Sequence, residues 1–478
     1  MTIALVHYHL RRGGVSRVIE AQSAALQSAG VEHVILSGTR YWGDHELPVV
    51  VVPELDYRDV DVPGLAQTLR QAATKALGAP PDLWHFHNPT LGKNAAFPTL
   101  LADLLADNQR LLFQHHDFAE DGRPGNYRLL IDQPHLYPLA PQVHYAFINS
   151  RDRELLLDAG LPADRCHLLP NAVPPLAALA PPAPSNQRLV LYPVRGIRRK
   201  NLGCLCLLAA LAPEDTRFAL TLAPENPQWL KGYNQWLDFA EELHLPVFFN
   251  VADRIPPAPG ADASFESWLR HSTHLMTCSI AEGFGLAFLE PIALRLPLLG
   301  RDLPDITRDF ARNGLLLGSL YEDLLVPLDW IDQDELRNHL EQELRQYYES
   351  YGRPVDDEIL DRAWDSLLLG DYADFGNLPE DIQRSVINQA MQHPDEVMVG
   401  IAGECQPLQD WLIACLLETS SSSPAEALEP YSIPRYGRTL STIYQTILDA
   451  VPAPVEWLDP EAVLDQFLEP ERFHFLRT

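Results

Sequence analysis

Short runs rich in β-branched and aromatic residues alternate with stretches of helical periodicity through the first 173 residues. Thr2–Val6 (TIALV) leads into a glycine turn and then SRVIEAQSAALQSAG, whose apolar positions recur every three or four residues. HVILSG, DLWHFH, RLLFQHH and VHYAFINS continue the series. This α/β alternation predicts a parallel sheet with helices on both faces, a Rossmann-like domain over residues 1–173. Residues 174–187 break it: PPLAALAPPAP holds five prolines and no charge, the composition of a stiff linker. The alternation restarts with RLVLYPV, RFALTLAP, LPVFFNV, HLMTCS and LPLLG, so a second α/β domain is expected over 188–330. Residues 331–478 read differently, as an acidic helical extension. DQDELRNHLEQELRQYYESYG and VDDEILDRAWDSLLLG are amphipathic, LSTIYQTILDAV is suited to docking on an α/β domain, and TSSSSPAEALEP is a loop.

Charge narrows the partners. The 478 residues include 36 basic and 65 acidic groups, a formal net charge of −29. That overall field disfavours nucleic acid and anionic membranes as ligands. The imbalance concentrates in residues 331–478, with 9 basic groups, all arginine, against 29 acidic ones. A solvated helical face accounts for this, and a docking surface for a protein partner is the alternative. The six cysteines match no zinc spacing and read as free buried thiols of a reducing compartment. No apolar run reaches the ~18 residues of a membrane span. The N-terminal MTIALVHYHLRR has no basic leader before its apolar run, so a cytoplasmic protein without stable membrane insertion is expected.

Four clusters carry candidate chemistry, each at the end of a strand, the edge where open α/β sheets bind ligands. After the first strand comes Arg11-Arg12-Gly13-Gly14-Val15-Ser16-Arg17. Two glycines admit close approach, and the next helix offers free N–H groups to an anion, although such turns also occur merely to fit a bend. The spacing is not GxGxxG, which disfavours a nicotinamide dinucleotide. The second cluster is Phe113-Gln114-His115-His116-Asp117. Adjacent strand residues face opposite ways, so the two histidines are poor co-ligands for a metal. One polar histidine bonding a substrate hydroxyl fits better. The third, Arg195-Gly196-Ile197-Arg198-Arg199-Lys200-Asn201, sets four cations in its first six residues, and Arg195 with Lys200 can converge on one phosphate. The fourth runs from Ser279 through Glu282-Gly283-Phe284-Gly285-Leu286 to Glu290 and Pro291. Its glycines open a helix start to an anion, and its carboxylates suit a vicinal diol.

EGFGLAFLE (282–290) resembles the E-x7-E motif of retaining GT-B glycosyltransferases of glycosyltransferase family 4. GGVSRV resembles that family's N-terminal glycine loop, His116-Asp117 its strand-end histidine, and Arg195 with Lys200 its Arg-x4-Lys phosphate pair. Leu168–Val173 is similar to the segment closing its N-terminal domain. The resemblance covers about residues 1–330. Ser16 stands where many members have Glu, Ala172 where Gly is usual and Pro291 where Ala is common. The resemblance implies two Rossmann-like domains facing across a cleft and hexosyl transfer from a nucleotide-sugar donor with retention. It assigns His116, Glu282, Arg195 and Lys200 to the reaction. Gly13, Gly14, Arg195, Lys200, Gly283, Phe284, Gly285, Leu286 and Glu290 would bind the donor, with Glu290 on the ribose. No cofactor is then obligatory, no metal ligand is assigned, and a divalent ion is not required. A GT-B disaccharide phosphorylase, a sugar-nucleotide epimerase and a non-catalytic sugar-nucleotide-binding protein are the rivals. The acceptor-binding residues are unknown. The helix LAQTLRQAATKALG carries just Arg70 and Lys75, too few for a basic membrane-docking face, so a small soluble acceptor is expected.

Overall fold

A computed structural model describes residues 1–43, 46–173 and 187–477. The expected linker at 174–187 lies almost wholly outside the described residues. The first unit comprises Met1–Pro174, Tyr347–Arg353 and Glu429–Glu469. Its sheet holds β1 (Thr2–His7), β2 (Glu32–Ser37), β3 (Val49–Val51), β4 (Leu83–His87), β5 (Leu111–His115), β7 (Val143–Phe147) and β8 (Cys166–Leu168), ordered β3-β2-β1-β4-β5-β7-β8. Every pairing is parallel. β4 and β5 are buried on both faces, as helix-covered parallel strands must be. The short β6 (Pro138–Leu139) pairs apart from this sheet with β20 (Glu456–Trp457).

The second unit comprises Pro175–Gln346, Pro354–Leu428 and Pro470–Thr478. β9 (Arg188–Arg195), β10 (Thr216–Leu222), β11 (Val247–Phe249), β12 (His274–Thr277), β13 (Leu298–Arg301) and β14 (Ser319–Tyr321) form a parallel sheet ordered β11-β10-β9-β12-β13-β14. Both orders reverse direction beside the first strand, between β1 and β4 and between β9 and β12. Those reversals are the switch points where loops diverge and leave a crevice.

Residues 331–478 differ from a purely helical extension. They supply β16 (Leu368–Leu369), β17 (Tyr372–Asp374), β18 (Met398–Ile401) and β19 (Glu404–Pro407), which join β15 (Asp323–Pro327) in an antiparallel sheet. Their segments also divide between the two units. The helix Ile433–Asp449 does dock on an α/β domain: Tyr436, Leu440, Ile443 and Ile447 share the first unit's core with Ile3, Leu5 and Ile19. Gly437 sets the spacing, since a Cβ there would lie 3.2 Å from that of Ala25. Among the described residues no helix is long and apolar enough to cross a membrane.

Candidate functional site

In the first unit the adjacent strands β1, β4 and β5 end in His7, His87 and His115, with His116 just beyond. His116 Nε2 lies 2.9 Å from His87 Nδ1, and His87 Nε2 lies 2.8 Å from Gln22 Oε1. A carboxamide oxygen only accepts, so His87 carries its proton on Nε2 and accepts on Nδ1. His116 therefore donates from Nε2 and keeps Nδ1 as a lone-pair acceptor. Gln22 Nε2 continues the chain, 2.8 Å from His85 Nδ1 and 3.1 Å from the Tyr444 hydroxyl. The backbone of the β5 turn is fixed by Asn88 Oδ1, which accepts from the N–H of His116 at 2.6 Å and of Asp117 at 3.2 Å.

Burial holds these imidazoles neutral. It lowers the pKa of His116 to about 3, and those of His7, His85 and His115 likewise to about 3, with nearby imidazoles adding to the effect on the last three. The His115 ring stacks on Phe118 with centroids 4.8 Å apart, and among the described residues neither ring nitrogen has a hydrogen-bond partner.

The glycine turn is open. Gly13 is fully extended (φ 177°), a conformation any residue adopts, and precedes the helix Gly14–Ser28 without a side-chain cap. A Cβ at Gly14 would meet nothing within 4 Å. Neither backbone strain nor packing demands glycine here, so what the missing side chains provide is room before the helix's first N–H groups.

In the second unit β9 ends at Arg195, whose guanidinium pairs with Glu225 at 2.7 Å and donates to the Ala223 carbonyl at 3.2 Å. Lys200 is 8% exposed and donates to Ser279 Oγ at 3.1 Å and to Glu282. Arg199 lies 3.4 Å from the other Glu282 oxygen and donates to the Ala281 carbonyl at 2.6 Å. Burial alone would raise the Glu282 pKa, yet the two cations, Lys200 first, hold it down to about 2. Burial lowers the Lys200 pKa against the opposing pull of Glu282. Tyr192 braces the group, donating to the Lys200 carbonyl at 2.9 Å with its oxygen 3.1 Å from Ser279 Oγ.

The remaining candidates follow along the chain. Gly285 stands at φ 89° as N-cap of the helix Leu286–Leu294, and a Cβ there would lie 2.9 Å from Ile306 Cγ2, so glycine is required locally. Phe284 is buried with its ring against Phe310, and Gly283 is exposed. Glu290 is half-buried, one turn past Leu286. The structure thus brings Lys200 and Glu282 together, while Arg195 holds a different carboxylate.

Several supporting roles are not visible in the sequence. Asn201, in the left-handed region (φ 50°), caps the helix Leu202–Ala210 through Cys204 N–H. Its amide donates to the Gly376 carbonyl at 2.9 Å, and Gln383 donates back to it at 3.3 Å. Gln22 and Tyr444 are equally unannounced. A signal did exist for His87, because His85 and His87 alternate along one strand and so share a face.

Comparison with known proteins follows the same lines. Residues 13–172 match the family model described as a glycosyl transferase 4-like domain. A mannosylglucosyl-3-phosphoglycerate synthase from Petrotoga mobilis is 25% identical over 419 residues, covering 80% of this chain and 79% of its own. Among solved structures, a glycosyltransferase from Rickettsia africae aligns with a TM-score of 0.53 at 15% identity, over 94% of this chain and 98% of its own. Sucrose-phosphate synthase from Thermosynechococcus elongatus aligns with a TM-score of 0.50 at 13% identity, over 93% and 98%. Anabaena HepE in complex with UDP-glucose gives 0.50 at 12%, over 93% and 100%. At these identities the structures establish the fold.

Proposed function

Because the chain is a GT-B glycosyltransferase of the glycosyl transferase 4-like group, using a nucleotide-sugar donor to transfer a hexose, we propose that it does so with retention of configuration onto a small soluble acceptor. The observation that carries the reading is the buried Lys200–Glu282–Arg199 group at the ends of β9 and β12. It holds more cations than carboxylates, and it lies at the second sheet's switch point. Arg195 and Lys200 neutralise the donor diphosphate, Glu290 accepts from the ribose hydroxyls, and the Gly283–Leu286 backbone follows the phosphates and donor sugar. Fixed charge aimed at a leaving diphosphate is electrostatic catalysis, and removing one such donor typically costs on the order of 10²–10³ in rate. The Gly13–Gly14 turn offers its helix N–H groups to the phosphates.

The leaving phosphate oxygen accepts the acceptor's proton as the acceptor attacks from the same face. No protein nucleophile is needed. His116, neutral and with Nδ1 unprotonated, accepts a hydrogen bond from a sugar hydroxyl and orients it. Glu282 acts through Lys200, holding the ammonium in place. Arginine and lysine supply the positive charge, so the reaction runs without a divalent ion, in the cytoplasm. The phosphoglycerate in the name of the Petrotoga relative supports a small soluble acceptor.

A thermal-shift screen of nucleoside diphosphates and nucleotide sugars tests this. Uridine, adenosine or guanosine diphosphate should raise the Tm with EDTA present, and Glu290→Ala should weaken that ligand about tenfold or more, since each charge-assisted hydrogen bond contributes ~1.5–3 kcal/mol. Wild-type affinity in Glu290→Ala removes the ribose assignment, and binding abolished by EDTA removes the metal-free mechanism.

A further inference from the structure

The loops after β1, β4 and β5 carry cations that the donor site does not use. Arg11 follows β1, Lys93 follows β4 and Arg123 follows β5, three strands adjacent in the first sheet. Arg11 pairs with Asp56 with its side chain 53% exposed, and Arg123 with Asp117 at 38%. Each guanidinium keeps N–H groups beyond its carboxylate. Lys93 is different. Its ammonium, half-buried, lies 5.2 Å from the centroid of the Tyr57 ring and has no carboxylate or hydrogen-bond partner among the described residues.

These groups form one neighbourhood around Tyr57. The Tyr57 ring lies 4.8 Å from that of His9, and its phenol feels the charges of Arg11, Asp117 and Asp56. Burial lowers the Lys93 pKa, Arg123 lowers it further and Asp117 opposes them, which places all three within interaction range. Arg11 and Arg123 each have a carboxylate at hand, Asp56 and Asp117, and Asp121 and Asp152 also act on Arg123, whereas the Lys93 ammonium has no ion pair of its own among the described residues. A solvated basic rim would leave its lysine extended into water. Here the ammonium is drawn back over an aromatic ring and partly desolvated, a state that an anion relieves. Asp117 directly follows His116, so the cations adjoin the group assigned to orient a hydroxyl.

We propose that Lys93, Arg123 and Arg11 bind an acidic group of the acceptor, a phosphate monoester or a carboxylate, and so hold its nucleophilic hydroxyl beside His116. Arg11 offers a planar fork to an oxygen pair and Lys93 a point charge, while Arg123, whose Nη1 donates to the Phe118 and Asp121 carbonyls, adds its remaining N–H groups. The proposal rests on the glycosyl-transfer reading and adds to it the acceptor class and its residues.

Calorimetric titration of the full chain with 3-phosphoglycerate, glycerate and glycerol, for wild type, Lys93→Met and Lys93→Arg, tests the site. The acids should bind and glycerol should not. Lys93→Met should weaken the acids tenfold or more, Lys93→Arg should recover most of the loss, and nucleoside diphosphate affinity should stay unchanged in both. A loss confined to 3-phosphoglycerate identifies a phosphate site, and an equal loss with glycerate a carboxylate site. Unchanged acid affinity in Lys93→Met, or glycerol binding as well as the acids, overturns the proposal. Failure of every nucleoside diphosphate to bind wild type would instead overturn the transferase reading beneath it.

Discussion

The ends of β1, β4 and β5 and the ends of β9 and β12 occupy equivalent places in two similarly ordered sheets, yet they are equipped in opposite ways. The first collects histidines, and burial discharges them. The second buries a lysine against a largely buried glutamate, and the two stay charged because each stabilises the other, with the partly exposed Arg199 adding to the hold on Glu282. An imidazole escapes the cost of desolvation by dropping its proton near neutrality, whereas a lone buried ammonium or carboxylate would have to cross several pH units to do so. The two rims therefore offer different chemistry. One presents hydrogen-bond directions that do not change with physiological pH, and the other a preset field.

The sharpest way to break this contrast is Lys200→Ala. The donor-dependent rate should fall on the order of 10²–10³. The pairing with Glu282 adds an effect on stability. Stripping one partner from a buried pair costs up to ~3–5 kcal/mol, and Arg199, still 3.4 Å from Glu282, reduces the penalty. Lys200→Ala with Glu282→Gln should restore the Tm while leaving nucleoside diphosphate affinity low. If the double variant regains affinity, the lysine serves Glu282 alone and the second rim is not a preset field.

Acid stability sharpens the other side. His7, His85, His115 and His116 have folded-state pKa values near 3 against an ordinary 6.5, so the unfolded chain binds their protons first. Their contribution to stability is complete above about pH 6.5 and is lost as pH falls toward 3, by ~1.4 kcal/mol per group per pH unit at most. Glu282, near 2 against 4.5, adds its own loss only below about pH 4.5. Melting curves should show the Tm declining from pH 6.5 to 5, while kcat shows no ionisation of His116 in that range. A kcat inflection near 6.5 would mean that His116 titrates normally.

A smaller effect is expected from Gln22→Leu. It removes the acceptor that pins His87, frees the His116 tautomer, and should lower kcat about tenfold with the donor KM unchanged, since one unmade buried hydrogen bond costs ~1–3 kcal/mol. Equal changes in kcat and KM would mark Gln22 as packing only.

Legibility differed along the chain for physical reasons. The parallel sheets were readable because doubly buried strands are nearly continuous apolar runs, as in TIALV and RLVLYPV. The glycine turn, the Arg195–Lys200 stretch and the 282–290 stretch stood out because each is continuous in sequence, at the junction of a strand with the helix that follows. What joins loops was not. Nothing in the spacing tells that Glu282 will close on Lys200, since 82 residues separate them and the contact exists only once β9 and β12 are neighbours. The sheet formed by β15–β19 was missed because strands such as Tyr372–Asp374 are too short to show alternation, and the acidic residues around them read as helix.

The Gln22–Tyr444 hydrogen bond spans 422 residues. At synthesis rates of roughly 5–20 residues per second, the helix Ile433–Asp449 leaves the ribosome on the order of 20–80 s after Gln22. Through that interval Ile3, Leu5 and Ile19 lack the side chains that complete their core. The earlier-translated of the two units is therefore sealed only after most of the other has been made, and its apolar face is what a chaperone would meet on the nascent chain.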